Sequence, residues 1–388
     1  MTDLQTTLSI SFNRFFESEK SSGIVLILCT ILSLLVANSS FGSAYLDFWH
    51  IKVAGLSLEH WANDALMAVF FLFVGLELER EFYVGELSNF RKALLPIIAA
   101  VGGIVVPAGI HFALNADTPT QAGAGIPMAT DIAFALGVLA LLGSRVPASL
   151  KVFLTALAVM DDLGAIVVIA IFYTTQFSPA YLLAAFAVFG LLLILNRLRV
   201  MALLPYLLGG ALMWFLMLKS GVHATIAGVL LAFAVPFSGN GDDESSPSHH
   251  LEHLLSKPVA FVVLPIFALA NTGIVISAGW QQELLSSNSL GILGGLVLGK
   301  PLGILLASLL AVAVGVCALP GDLKRRHILG AGLLGGIGFT MSIFITNLAF
   351  AGSVELVNAS KMAILMASLV AGALGFVWLR FSSSPGNT

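Results

Sequence analysis

The sequence predicts an all-α polytopic membrane protein with twelve transmembrane helices, and three observations carry that prediction. Of 388 residues, 58% are hydrophobic and 10% are charged, against roughly 25% charged in an average soluble chain. Apolar runs of about 17–25 residues, the length that crosses a bilayer, recur from one end of the chain to the other. The Lys and Arg residues gather at alternate ends of those runs. An ordinary soluble enzyme and a disordered chain are excluded by the mean hydropathy of +0.99. The net charge of −3 offers no basic surface for nucleic acid. Cys29 and Cys317 lie far apart in apolar runs, so no disulfide or zinc framework is expected.

The runs place spans at 22–38, 58–84, 93–114, 121–143, 148–173, 179–196, 202–218, 221–236, 250–272, 289–313, 327–350 and 357–380. They fill the chain, so residues 1–388 read as a single integral membrane domain. A mixed-charge stretch from Arg14 to Lys20 precedes the first run, with no small-residue cleavage site, and marks a retained helix. Residues 39–57 read as an outward loop with strand-like pieces from Tyr45 to Val53. That loop is either simply solvated or a small hairpin that pairs subunits. Residues 237–249 are rich in Ser, Gly and Asp and read as a cytoplasmic linker.

Orientation follows from the cations. One set of ends carries Arg14, Lys20, Arg80, Arg91, Lys92, Arg145, Lys151, Arg197, Arg199, Lys257, Lys324, Arg325, Arg326 and Arg380. The other carries Lys52, Lys219 and Lys361, and Lys300 belongs to neither. With an even number of spans, both termini are expected in the cytoplasm.

An ionisable group inside a bilayer is costly and asks for a reason. Asp131, Asp161, Asp162 and Lys300 fall near span centres, and Asp64 nearer the outer end of the second span. Such charges either pair to hold helices together or mark an ion path. Three acids and a lysine in three spans favour the ion path. Asp161 and Asp162 are neighbours, about 100° apart on a helix, so they face different partners. Their titration is coupled, and the pair is the unit that takes up and releases protons. A carboxylate that holds either a proton or a hard cation such as Na⁺ has the chemistry of a cation/proton exchanger. Lys300 needs an acidic partner, and Asp161 or Asp162 is the candidate. The stretch Gly294 to Lys300 has phosphate-loop spacing, but Pro301 follows instead of Ser or Thr, so no nucleotide site is expected.

Gly123, Gly125 and Pro127 weaken the fourth span just before Thr130 and Asp131. Gly335, Gly336 and Gly338 weaken the eleventh just before Thr340 and Ser342. Either stretch alone reads as close helix packing. Together they are two interrupted helices seven spans apart, which run in opposite directions, so spans 3–5 and 10–12 read as inverted repeats. Helix ends within the bilayer carry partial charges, which Asp131 and Lys300 are placed to offset.

Five segments carry a family resemblance. They are Asn63-Asp64-Ala65-Leu66-Met67-Ala68-Val69-Phe70-Phe71, Ala129-Thr130-Asp131-Ile132-Ala133-Phe134-Ala135-Leu136-Gly137, Asp161-Asp162-Leu163-Gly164-Ala165-Ile166, Lys219-Ser220-Gly221-Val222-His223-Ala224-Thr225 and Gly336-Ile337-Gly338-Phe339-Thr340-Met341-Ser342-Ile343-Phe344. They closely resemble the bacterial NhaA-type sodium/proton antiporters, from about the first span to the last. Inverted repeats with broken helices are already described for this family.

The resemblance implies a twelve-span inner-membrane protein that exports Na⁺ or Li⁺ for H⁺, electrogenically and at alkaline pH, for sodium and pH homeostasis. It implies no cofactor and no enzymatic activity. Asp162 resembles the main cation-binding carboxylate and Asp161 its neighbour paired with Lys300. Thr130 and Asp131 resemble the break in the fourth helix, with Gly336 and Gly338 in the eleventh. Glu77, Arg80 and Glu81, with Glu252 and His253, resemble a pH-sensing region, though charges at an inner helix end also read as ordinary solvation. Asp64 and His223 are polar groups of the outer side, and a helix-end histidine also reads as structural. A homodimer through the outer hairpin is implied. The acidic linker residues Asp242, Asp243 and Glu244 match no motif of the family. A cation channel and an intramembrane aspartyl protease, using Asp131 with Asp162, are the alternatives.

Overall fold

The computed structural model describes residues 19–85, 88–173, 177–237, 246–276 and 279–382. Arg14 and the linker residues Asp242, Asp243 and Glu244 lie outside the described residues. Among the described residues, nine helices are long and apolar enough to cross a bilayer, and two bent pairs raise the number to eleven. The protein is therefore all-α and polytopic, with broken helices among its spans. The expected eighth span accounts for the difference. Its helix is Ile226–Ala234, nine residues and about 13 Å long at 1.5 Å per residue. Gly221, at φ 80°, ends the helix before it. Residues 221–225 then run irregularly, and Pro236 follows closely behind.

Residues 39–57 also differ from expectation. Tyr45 belongs to a helix, Gly42–His50, which turns 114° from the first span. Tyr45 Oη donates to the Leu269 carbonyl at 2.6 Å, tying that helix to the ninth span. The strands are short, Lys52–Val53 against Leu56–Ser57. Ala54 and Gly55 turn between them with φ of 52° and 88°, the left-handed pair that a two-residue hairpin needs. The linker is shorter than expected. Ser246 caps a helix that already begins at Pro247, and the Ser248 N–H donates to the Pro236 carbonyl at 3.2 Å.

Two wide helical turns have a common cause. Val259–Val263 and Gly295–Gly299 each make a π-type turn, and each stands two residues before a proline, Pro265 and Pro301. A proline lacks the N–H that would continue the normal ladder, so the helix widens just ahead of it. Lys300 sits between the second of these turns and its proline. The tenth span lies along the third at close range. A Cβ on Gly102 or Gly303 would strike the other's backbone carbonyl.

The breaks of the fourth and eleventh spans meet between two clusters of buried apolar side chains. Ile126, Phe71 and Phe344 belong to the buried apolar cluster on one side. Leu139, Leu157 and Leu334 belong to the cluster on the other. The polar centre thus lies between two apolar clusters.

Candidate cation and proton site

The fourth span begins as a tight 3₁₀ turn, Gln121–Met128. Ala129 and Asp131 then take extended backbone, and an α-helix resumes at Ile132–Leu141. The eleventh span is Arg325–Gly335, then a 48° bend, then Phe339–Ala349. Each break leaves backbone donors and acceptors without a helical partner in a dry region, where they must be satisfied. The two breaks satisfy each other. The Asp131 N–H donates to the Ile337 carbonyl at 2.6 Å. Asp131 Oδ1 accepts from the Phe134 N–H at 3.0 Å, capping its own helix. Asp131 Oδ2 accepts from the Thr340 N–H at 3.0 Å and the Thr340 hydroxyl at 2.6 Å, capping the other. At the opposite ends, Lys300 Nζ donates to the Met128 carbonyl. The Thr130 hydroxyl lies 2.9 Å from the Gly335 carbonyl. One acid thus faces two helix N-termini, and one lysine faces a C-terminus. Gly338 lets the breaks approach, since a Cβ there would come within 3.2 Å of the Ala129 carbonyl.

Asp161 and Asp162 lie beside this crossing on the fifth span, Ala148–Phe172, at 0% and 1% exposure. Their partners differ. Asp161 Oδ2 is 2.6 Å from Lys300 Nζ, which is itself fully buried. The same oxygen accepts from the Thr130 hydroxyl at 2.7 Å. Among the described residues, Asp161 Oδ1 and both oxygens of Asp162 have no hydrogen-bond partner. A buried carboxylate left in that state is strongly unfavourable unless it holds a proton or a cation. Among the described residues, no group of three or more His, Cys, Asp and Glu side chains forms a site for a resident metal ion.

The remaining predicted residues lie elsewhere. At the Tyr83 end of the second span, Arg80 stands 3.0 Å from Glu252, 3.5 Å from Glu81 and 4.0 Å from Glu77. His253 stays exposed on the ninth span. Beside this cluster a cavity of about 440 Å³ is lined by Glu81, Ser88, Asn89, Lys151 and Thr155. Thr155 is seven residues from Asp162 on one helix, about 10 Å at 1.5 Å per residue. At the opposite end of that span, Asp64 pairs with His60 at 2.6 Å. His223 bonds the Tyr173 carbonyl at 2.8 Å, and Tyr173 donates to the Ala122 carbonyl at 2.7 Å. Neither Asp64 nor His223 joins the buried pair.

Sequence reasoning missed several buried polar groups. Glu79, 5% exposed, accepts from Ser248 at 2.9 Å. His111, Asn288 and Ser360 form a buried chain across the third, tenth and twelfth spans. Lys361, expected at an outer helix end, is 5% exposed beside Asn271. Its helix begins at Val354, so it lies two turns inside. The signal available was a polar residue within or beside an apolar run, which hydropathy alone does not place as buried.

A solved structure of the sodium proton antiporter MjNhaP1 from Methanocaldococcus jannaschii shares the fold, with a TM-score of 0.52 over 96% of this chain and 98% of that one, at 13% identity. The Na(+)/H(+) antiporter NhaA of Dechloromonas aromatica is 76% identical over 388 residues, covering 100% of both chains. That of Flavobacterium psychrophilum is 59% identical over 370 residues, covering 95% of this chain and 96% of its own. The family model described as Na+/H+ antiporter 1 matches residues 13–379. By whole-length identity and by this match, the chain belongs to the NhaA-type Na⁺/H⁺ antiporters.

Proposed function

We propose that this chain exports Na⁺ or Li⁺ in exchange for H⁺ across a bacterial inner membrane, with Asp161 and Asp162 as the shared cation and proton site. The observation that carries the site assignment is Asp162, a buried carboxylate with both oxygens unpartnered. A proton or a hard cation satisfies it, and the two exclude each other. Competition at one carboxylate couples the two fluxes without any further device.

Asp161 adds the second exchange. Ionised, it holds Lys300 and accepts from Thr130. Protonated, it releases Lys300 to the Met128 carbonyl. The Thr130 hydroxyl has one proton and two acceptors in reach, Asp161 and the Gly335 carbonyl. It serves Asp161 when that carboxylate is ionised and Gly335 when it is not. Protonation is thereby reported to the end of a broken helix, an element suited to two arrangements. Asp131 has both oxygens committed to helix ends, which argues against a protease using Asp131 with Asp162. Apolar layers on both sides of the site argue against an open channel.

The finer architecture follows the same reading. The eighth helix completes twelve spans as a short one, spans 3–5 and 10–12 are inverted repeats in a single membrane domain, and both termini are cytoplasmic. Exchange is electrogenic and alkaline-activated. The response to pH lies in Glu77, Glu81 and Glu252 around Arg80, with Glu79 and His249 nearby. The hairpin of Lys52–Ser57 joins two copies as a homodimer. The test is an everted-vesicle assay of pH-gradient collapse by Na⁺, Li⁺ and K⁺. Asp162→Asn is expected to abolish the Na⁺ response while the protein stays folded; persistent exchange would sink the assignment. In the unsubstituted protein, half-saturating Na⁺ should rise as pH falls, and saturating Na⁺ should restore the rate.

A further inference from the structure

We infer that Asn271 is the hub of an outer gate that shuts the cation site from the outer face. The inference rests on the antiporter reading but concerns residues outside the carboxylate site. Asn271 is 1% exposed and uses every hydrogen-bonding position of its amide. Its oxygen accepts from Asn347 at 2.6 Å and faces Lys361 Nζ at 3.4 Å. Its nitrogen donates to Asn63 at 2.7 Å and to the Phe267 carbonyl at 2.9 Å. A lysine is only a donor, so the amide oxygen must face it, which fixes the orientation of the whole network. The Phe267 bond stays within the helix. The other three cross to the second, eleventh and twelfth spans.

The position of the network gives it a purpose. Asn347 follows Thr340 by seven residues on one helix, so it lies about 10 Å outward of the break. Beyond it opens an outer cavity of about 350 Å³, lined by His50, Glu59, Asn63, Asn271, Asn347 and Lys361. The network is the floor of that cavity and separates it from the buried carboxylates. Asn347 and Lys361 sit on the eleventh and twelfth spans, which carry or flank a break. Asn63 and Asn271 sit on the second and ninth, which do not contribute to the crossing. For the site to face outward, these two groups of helices must part at this level. Lys361 adds a buried amine at the same level, held against the amide of Asn271. Among the described residues no carboxylate lies within ion-pairing distance of it. Glu59, on the cavity wall and 3.9 Å from His50, is the charge that acts on it.

The test compares the two sides of the membrane. Na⁺ activation of exchange is measured in right-side-out and in everted vesicles. Asn271→Ala removes the hub and favours the outward-facing state. Half-saturating Na⁺ should fall on the outer side and rise on the inner side, moving their ratio by about tenfold. Lys361→Met and Asn347→Ser each remove part of the network and should move the ratio the same way by less. Loss of affinity on both sides together, or an unchanged ratio, would overturn the gate. If Asn271→Ala does not reach the membrane folded, Asn347→Ser and Asn63→Ser carry the test. Should Asp162→Asn still exchange Na⁺, the site reading fails while the side-to-side ratio still judges the gate.

Discussion

At mid-membrane two aspartates lie beside one lysine, which pairs with one of them; at the Tyr83 end of the second span three glutamates surround one arginine. In the first cluster Lys300 and Asp161 are fully buried at 2.6 Å, and Asp162 is left without a partner. In the second, Arg80 is 38% exposed and its three carboxylates are 15–17% exposed at 3.0–4.0 Å. Water and salt reach the inner cluster, so its charges need no exact matching. The mid-membrane cluster has no such relief, and one proton or one cation more or less changes its energy steeply. The contrast separates a site that must bind something from one that only responds to its surroundings.

Substitutions should widen that contrast in a definite order. Lys300→Ala leaves Asp161 buried without its cation, and loss of one partner of a buried pair costs about 3–5 kcal/mol. Thermal unfolding in detergent should show that drop; unfolding like the unsubstituted protein would dismiss the bridge as an anchor. Thr340→Val removes the hydroxyl bond to Asp131 and leaves the N–H bond. A hydrogen bond to a charged group contributes about 1.5–3 kcal/mol, so a smaller loss is expected by the same measurement. Arg80→Gln should cost least, because Arg80 is 38% exposed and its pairs are partly screened. Its larger effect is on pH. Removing the cation disfavours the ionised glutamates, so the pH profile of exchange should move to the alkaline side. The displacement should shrink as ionic strength rises. A profile that stays in place would separate the inner cluster from pH control.

The charges of the central site were legible because each is an anomaly in an apolar run. Asp131, Asp161, Asp162 and Lys300 stand out against their neighbours, as do the glycines and proline before Thr130 and Thr340. The two wide turns before Pro265 and Pro301 were equally readable and were passed over. The neutral hub Asn271 was not, since one amide in a run of this length is unremarked by hydropathy. Lys361 was misplaced for a related reason. Its run of apolar residues begins at about 357, but the helix begins at Val354 and continues to Ser382. Hydropathy marks where lipid can lie, not where a helix starts.

By itself the sequence determined that this chain spans a bilayer many times, which helices break, and which charges lie within them. Those are properties of composition along a line, and the cost of a charge or an unmade backbone bond in lipid makes them visible. Only the tertiary structure decided which carboxylate Lys300 holds, which helix ends Asp131 caps, and that Asp162 is left open. Adjacent residues on a helix point about 100° apart, so neighbours in sequence have unrelated partners until the spans are packed. The same packing turned a short eighth helix and a buried Lys361 from expected ordinary elements into exceptions.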